Sequence, residues 1–177
     1  LTLKDEVYYY KGVKFVMASV RTQVVDALVT DLKKIDGVAA TSSPGNFIEP
    51  YTYKSDVFDE NVFRHWKYLE EVNDFPTICF MVGAVTRQHV GGDVRYEFFE
   101  VNFRGYVHGE DSLNLADDLS EDIDFVVNSF RNKALTTNSS LEISDALVLS
   151  ISTDEGLFDP YGLCDIRAQV SYRYHLA

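Results

Sequence analysis

Acidic side chains concentrate in one short stretch of the sequence, which contains Asp117, Asp118, Glu121, Asp122 and Asp124. Clustered carboxylates can hold magnesium for phosphoryl chemistry. Positions 117, 121 and 124, however, share one face of a helix, on the side away from the apolar stripe of the same segment. Carboxylates on a single helix face do not surround an ion. The pattern therefore favours a solvent-exposed helix surface, and a metal-dependent enzyme that uses these acids is a remote alternative.

Two further acids, Asp154 and Glu155, lie in a glycine-containing turn near the C-terminus. Neighbouring carboxylates in such a turn most often accept hydrogen bonds from the local backbone. The histidines accompany no zinc-protease, serine-hydrolase or nucleotide-binding motif. They are His65, His89, His108 and His175. The residue patterns thus predict neither a catalytic site nor a cofactor, and we expect no enzyme activity.

The charge balance restricts the partners of the chain. Its 177 residues include 16 basic and 28 acidic side chains, which gives a net charge of −12. Such a chain repels nucleic acid and anionic membranes, so sequence-specific DNA binding is not expected. No apolar run approaches the roughly 20 residues that span a bilayer, and no signal peptide is visible. We therefore expect a soluble protein without a membrane partner.

The two cysteines, Cys79 and Cys164, belong to no metal-binding or redox motif. Each lies in an apolar segment with the character of a strand. Two buried free thiols are therefore expected, in preference to a disulfide or a metal site. Free thiols fit a reducing cytoplasm.

Two segments have the spacing of amphipathic helices. In the first, from about Phe15 to Ile35, apolar residues recur every three or four positions. The second is predicted to begin at Asp111 or Ser112 and to end near Phe130.

Strands are predicted between and after these helices. Residues 62–68 could form one strand, and residues 77–85 form an apolar run that is typical of a central strand covered on both faces. Gly91, Gly92 and Asp93 then mark a hairpin turn before an alternating strand over residues 96–107.

These elements predict an α+β domain with a mainly antiparallel sheet of about four or five strands and two main helices packed against one face. With 46% hydrophobic residues, the 177-residue chain can bury the core of a single domain. We expect an N-terminal arm over residues 1–14. Residues 38–61 combine turn residues with aromatics, which predicts a long ordered loop of functional or interfacial character.

The segment 150–174 reads as a strand, a loop and a second strand. The second strand alternates apolar residues such as Cys164 and Val170 with polar residues such as Arg167. In the loop, Thr-Asp-Glu-Gly is followed after a short spacer by Pro-Tyr-Gly, which is more turn chemistry than a minimal hairpin needs. We expect this loop to contact another molecule, and a purely intramolecular turn is the alternative.

The same pattern, ending in an alternating strand with Tyr-Arg-Tyr, resembles the C-terminal end of bacteriophage tail terminator proteins. These proteins are also called tail tube terminator or tail completion proteins, and the resemblance is to those of long, flexible-tailed phages. It extends backwards over roughly residues 15–174. It includes the segment 61–72, the Asp74-Phe75-Pro76 break and the helix after Asp111.

The resemblance implies a structural virion protein that is assembled in the host cytoplasm. Such a protein ends tail tube growth as a hexameric ring on the last tube ring, and it offers a docking surface to the head completion proteins. The implied place is the neck, at the head-proximal end of the tail. Expected partners are other copies of the chain, the last ring of tail tube protein and a head completion or neck protein. Another head-to-tail connector or a tail adaptor is the alternative function.

Three groups of residues are candidates for these contacts. The first is the C-terminal loop, with Thr153, Asp154, Glu155, Gly156, Pro160, Tyr161 and Gly162. The second, at the tip of the predicted hairpin, consists of Arg87, His89 and Arg95. The third is the acidic helix face, where Asp117, Asp118, Glu121 and Asp122 are expected to contribute to the channel of the ring. Six chains of −12 would carry −72, and a negative wall would let DNA pass without specific binding.

Overall fold

The computed structural model describes residues 6–10, 13–17, 19–33, 35, 61–91, 94–132 and 141–175. In chain order the elements are β1 (Glu6–Tyr10), β2 (Val13–Met17), α1 (Val20–Leu32), β3 (Val62–Phe63), a 3₁₀ turn (Leu69–Glu71), β4 (Thr77–Gly91), β5 (Val94–His108), α2 (Ser112–Ser129), β6 (Leu141–Thr153) and β7 (Tyr161–His175). The loop predicted over residues 38–61 lies outside the described residues except for Asn61, which is buried.

The main sheet has five strands in the order β3-β4-β5-β7-β6. All neighbours are antiparallel except β3, which pairs in parallel with the start of β4. The strands β1 and β2 form a separate two-stranded antiparallel sheet. The prediction of an α+β fold with a mainly antiparallel sheet and two helices is therefore confirmed.

The hydrophobic core lies between one face of the main sheet and the two helices. The alternating residues of β7 supply one side of it, because Ile166, Ala168 and Val170 are buried there. Leu28 of α1 and Ile123 of α2 are fully buried against the same cluster. The predicted alternation of β7 thus matches its burial from Cys164 to Tyr172.

The described residues cover the opposite face of the sheet only in part. At the end where β4 begins, Val72, Cys79 and Tyr106 form a second, smaller apolar cluster. The segment that leads into β4 covers this cluster with Phe63 and Phe75. We call the remainder of this surface the open face of the sheet.

The first predicted helix began too early. Val13–Met17 is strand β2, and α1 begins at Val20 after the N-cap residue Ser19, whose Oγ accepts a hydrogen bond from the backbone N–H of Thr22 at 3.2 Å. The apolar and β-branched residues of β2 fit a short helical pattern as well as they fit a strand. Hydrogen-bonded pairing with β1 (Glu6–Tyr10) makes this segment a strand, and the periodicity of the sequence does not reveal that β1 is its partner.

Two strand predictions also need correction. Only Val62–Phe63 of the predicted strand 62–68 pairs with a neighbour, and the chain then continues without a ladder. The strand predicted over residues 77–85 extends to Gly91. It is covered on both faces only at its start, because the smaller cluster ends there and Met81 is exposed.

Candidate assembly surfaces

The β6–β7 loop is organised by the side chain of Asp154. Its Oδ1 accepts a hydrogen bond from the backbone N–H of Leu163 at 2.9 Å, and its Oδ2 accepts one from that of Phe158 at 3.2 Å. The next two residues adopt positive φ, 53° at Glu155 and 78° at Gly156. Asp154 therefore performs the local, intramolecular role that acidic residues have in such turns.

The far side of the same loop is fixed to the start of α2. The Ser112 hydroxyl donates to Oδ1 of Asp159 at 3.2 Å, and the backbone N–H of Gly109 donates to the Pro160 carbonyl at 3.0 Å. Gly162 lies so close to this helix that a Cβ at its position would stand 2.3 Å from the Ser112 carbonyl oxygen. The Gly162 backbone therefore belongs to the internal packing of the subunit.

Tyr161 also faces the protein. Its ring lies 4.8 Å from that of His108 and 5.6 Å from that of Phe75, measured between centroids. Of the other predicted loop residues, Glu155 and Pro160 are exposed. The large apolar side chains that point outward are Leu157, which is 83% exposed, and Phe158, which is 52% exposed. Sequence reasoning missed both of them. The signal was two adjacent large apolar residues in an otherwise polar, Gly- and Pro-containing loop.

The β4–β5 hairpin lies at the opposite end of the sheet. β5 pairs with β7 from Val94 opposite His175 to His108 opposite Tyr161. At about 3.3 Å per residue, this ladder separates the hairpin from the β6–β7 loop by about 45 Å along the strands. The candidates in the hairpin and in the loop therefore form two separate surfaces.

Within the hairpin, His89 pairs with Arg95 in the antiparallel register. Arg87 is engaged inside the subunit, because its Nε donates to Oε1 of Glu97 at 2.8 Å. Glu97 is a buried carboxylate. Arg95 is exposed and is the hairpin residue best suited to test contacts of this end.

The acidic residues of α2 divide between two environments. Asp117 and Glu121 are exposed and Asp118 is half-buried, whereas Asp122 is buried. Asp122 follows Leu119 by three residues and precedes Val126 by four, so it falls on the apolar stripe of the helix. That spacing in the sequence could have distinguished Asp122 from the exposed acids. The acids that α2 leaves accessible are Asp117, Asp118 and Glu121, together with the half-buried Asp124.

The electrostatics of this acidic surface are repulsive. Partial burial, and then the neighbouring carboxylates of Glu121, Asp117 and Asp111, raise the pKa of Asp118. On the open face of the sheet, by contrast, arginines and acids form ion pairs. Arg104 contacts Asp165 at 2.7 Å, Arg167 contacts Glu100 at 2.7 Å, and Nε of Arg173 donates to Glu142 at 2.9 Å.

The described residues offer little for catalysis. Among them, no group of three or more His, Cys, Asp or Glu side chains could hold a metal ion. Cys79 and Cys164 are free and buried, as predicted, and burial raises the pKa of the Cys164 thiol to about 12. In the described part of the chain, neither α1 nor α2 has the length and apolar character needed to cross a membrane.

Comparison with known proteins points to the same family as the C-terminal motif. The family model described as "Bacteriophage Tail Tube Terminator Protein" matches residues 18–176. "Tail tube terminator protein p142" of Escherichia phage T5 is 27% identical over 163 residues, which cover 86% of this chain and 93% of that protein. Members of the family are structural proteins of the phage tail and not enzymes, which confirms the expectation of no enzyme activity. The chain belongs to the bacteriophage tail tube terminator proteins.

Proposed function

We propose that this chain ends the growth of the tail tube as a hexameric ring on the last tube ring and then docks the head completion proteins. The observation that carries the proposal is the family match over residues 18–176, which covers both helices and the whole five-stranded sheet. A terminator needs two different surfaces, one for the tube and one for the head side. The β6–β7 loop and the β4–β5 hairpin lie at opposite ends of one sheet and meet that requirement.

In this proposal the loop end supplies one of the axial contacts. Leu157 and Phe158 are large apolar side chains held outward by a loop that Asp154 and Ser112 fix internally. Apolar side chains presented on a fixed backbone favour a contact, because burying them is favourable and little conformational entropy of the loop is lost on binding. Each end also has secondary contacts in this proposal. They are Thr153 and Glu155 at the loop end, and His89 and Arg95 at the hairpin end.

The acidic face of α2 lines the channel in this proposal. Asp117, Asp118 and Glu121 concentrate negative charge on one helix face, whereas the acids on the open face of the sheet are matched by arginines. A negative wall repels the DNA phosphates and so prevents DNA from binding there. Asp122 is left out of this wall because it is buried in the subunit.

The test is to measure tail length, and to see whether tails join heads, in particles that lack this protein. A terminator predicts abnormally long tubes that do not join heads. Tubes of normal length without heads would instead identify a connector or adaptor that acts after tube growth has ended. Tagged protein seen by electron microscopy at the head-proximal end of mature tails would support the neck position, and a tag at the distal tip would contradict it.

A further inference from the structure

The β1–β2 hairpin stands apart from the main sheet. It is a two-stranded sheet of its own, and no described strand of the main sheet is hydrogen-bonded to it. The family match begins at residue 18, so the hairpin lies outside the part of the chain that matches the family. A two-stranded hairpin is marginally stable at best in water, and it gains stability when it packs against another surface. The β1–β2 hairpin therefore needs a packing partner.

The strand register gives the β1–β2 hairpin a largely apolar face. Because successive residues of a strand alternate between faces and opposite residues share a face, one face holds every second residue of each strand. These residues are Glu6, Tyr8, Tyr10, Val13, Phe15 and Met17. Five of the six are apolar or aromatic, a composition typical of the centre of protein interfaces.

The charge of this segment also differs from that of the remaining chain. Residues 1–18 contain three basic and two acidic side chains, whereas residues 19–177 contain 13 basic and 26 acidic ones. A slightly positive segment is attracted to a strongly acidic protein, and a second copy of this chain is such a protein.

The β1–β2 hairpin is rooted at the β4 side of the main sheet. β2 ends at Met17, two residues before the N-cap residue Ser19 of α1. Ser19 lines one cavity with Val82 of β4, and the Arg21 guanidinium donates to the carbonyl oxygens of Val82 and Gly83 at 3.1 Å and 2.9 Å. Strand β3 pairs only with the start of β4, so at the height of Val82 β4 is the outermost described strand.

Strand β6 presents an apolar margin on the opposite side of the sheet, at the same height. The register runs across the sheet from Val82 on β4 to Val148 on β6. Leu147 and Leu149 flank Val148, and together with Ile151 they are 44–45% exposed, in a half of β6 that contains no charged residue. A bulge follows Val148, so this margin offers apolar side chains and not a regular backbone for strand pairing.

We propose that the β1–β2 hairpin of one copy packs its apolar face against the β6 margin of the next copy in the ring. When the strands run along the ring axis, neighbouring copies stand at the same height, and the β4 side of one copy faces the β6 side of the next. The root of the hairpin then faces the apolar margin, and a strand of five residues reaches about 17 Å. Two different surfaces on opposite sides of one chain make a head-to-tail contact, which closes into a ring when the rotation between copies is suitable. This inference rests on the proposed ring.

The first test changes both sides of the contact in the full chain, in assembling particles. Tyr8→Ser/Phe15→Ser alters the hairpin face, and Leu147→Ser/Leu149→Ser alters the margin. Leu113→Ser is the control, because Leu113 is 40% exposed at the start of α2, away from the middle of β6. Each variant is first shown to have an unchanged thermal unfolding transition. We expect each pair of substitutions to reduce the number of tails of normal length at least about tenfold, and the control to leave it unchanged. Because both pairs act on one contact, all four substitutions together should reduce it no further than either pair.

The second test identifies the partner of the hairpin by cross-linking. Tyr10→Cys places a thiol on the hairpin face, and Leu149→Cys places one on the margin. Cys79 and Cys164 are free and buried, so the unmodified chain measures the background. Isolated tails that contain a mixture of the two single variants are treated with a short bismaleimide. We expect cross-linked dimers of this chain from the mixture, and not from tails that contain either variant alone.

Three results would overturn the proposal. They are normal tails from the folded serine variants, a mixture that gives no cross-linked dimers, and cross-links to another protein alone. All three leave the terminator role intact, because that role is decided separately by tail length in particles that lack the protein.

Discussion

The buried carboxylate of Glu97 on β5 accepts a hydrogen bond from the Tyr172 hydroxyl of β7 at 2.7 Å, directly across the ladder. From the other side, Arg87 of β4 donates to the same carboxylate at 2.8 Å. Three neighbouring strands are thus joined through one side chain near the hairpin end of the sheet. An arginine that sequence reasoning assigned to an assembly contact acts inside the subunit.

Replacing Arg87 is therefore expected to destabilise the fold. Arg87→Ala leaves the buried Glu97 carboxylate with weaker compensation, and hydrogen bonds to charged groups contribute about 1.5–3 kcal/mol. We expect the free energy of unfolding to fall by about 1–2 kcal/mol, because part of the Arg87 side chain is exposed. Urea denaturation measures this loss. The exposed neighbour Arg95→Ala is the control and should change stability by less than about 0.5 kcal/mol. Equal stability of the two variants would contradict the role given to Glu97.

Two glycines in the β6–β7 loop region should respond to alanine for different reasons. At Gly162 a Cβ would clash with the Ser112 carbonyl, which is backbone and cannot move without shifting the start of α2. We expect Gly162→Ala to cost about 3 kcal/mol or more, at the upper end of overpacking effects. At Gly156 the surrounding space is open, and only the positive φ opposes a side chain. Gly156→Ala should cost about 1 kcal/mol, and Gly156→Asn less, because Asn tolerates this conformation. Thermal unfolding of the three variants should give the order Gly162→Ala, Gly156→Ala, Gly156→Asn from least to most stable.

The sequence predicted those parts of the fold that local pattern determines. The strict alternation of β7, the helical stripe of α2 and the hairpin pairing of β4 with β5 each depend on residues close in sequence, and all three are found where expected. The start of α1 depends on the β1–β2 pairing, and the role of Arg87 depends on a carboxylate directly opposite it on the neighbouring strand. Such partners come from register, which a single sequence does not display. The assembly role of the β6–β7 loop stays a prediction. Within the loop, the turn chemistry of Asp154 stabilises the backbone, whereas Leu157 and Phe158, which the motif did not indicate, face outward.

Asp154 and Glu155 should differ although they are adjacent acids in one loop. Asp154→Ala removes two acceptors of backbone N–H groups, each contributing about 0.5–1.5 kcal/mol. We expect it to lower stability by about 1–2 kcal/mol and to increase proteolysis within residues 154–160. Glu155→Ala removes an exposed carboxylate and should stay within about 0.5 kcal/mol of the unmodified protein. Limited proteolysis combined with urea denaturation separates the two. A destabilised Glu155→Ala with a stable Asp154→Ala would reverse the assignment of their roles.

The acidic surface of α2 should make stability depend on pH and on salt. The pKa of Asp118 is raised in the folded chain, so the folded state binds its proton more readily than the unfolded state. The free energy of unfolding of the protein therefore rises as the pH falls through the folded pKa of Asp118. Above that pKa the destabilisation by the charged Asp118 carboxylate is fully present. Asp118→Asn should remove the penalty and stabilise the protein at neutral pH by about 0.3 kcal/mol, the size of like-charge effects on a helix surface. The gain should shrink in 1 M salt, where the screening length is about 3 Å.

Unfolding curves from pH 4 to pH 8 at low and high salt test this, with Asp165→Asn as the control. Asp165 is paired with Arg104, so its replacement should lower stability at neutral pH. If Asp118→Asn also lowered stability there, Asp118 would be a partner in an attractive contact and not part of a repulsive surface.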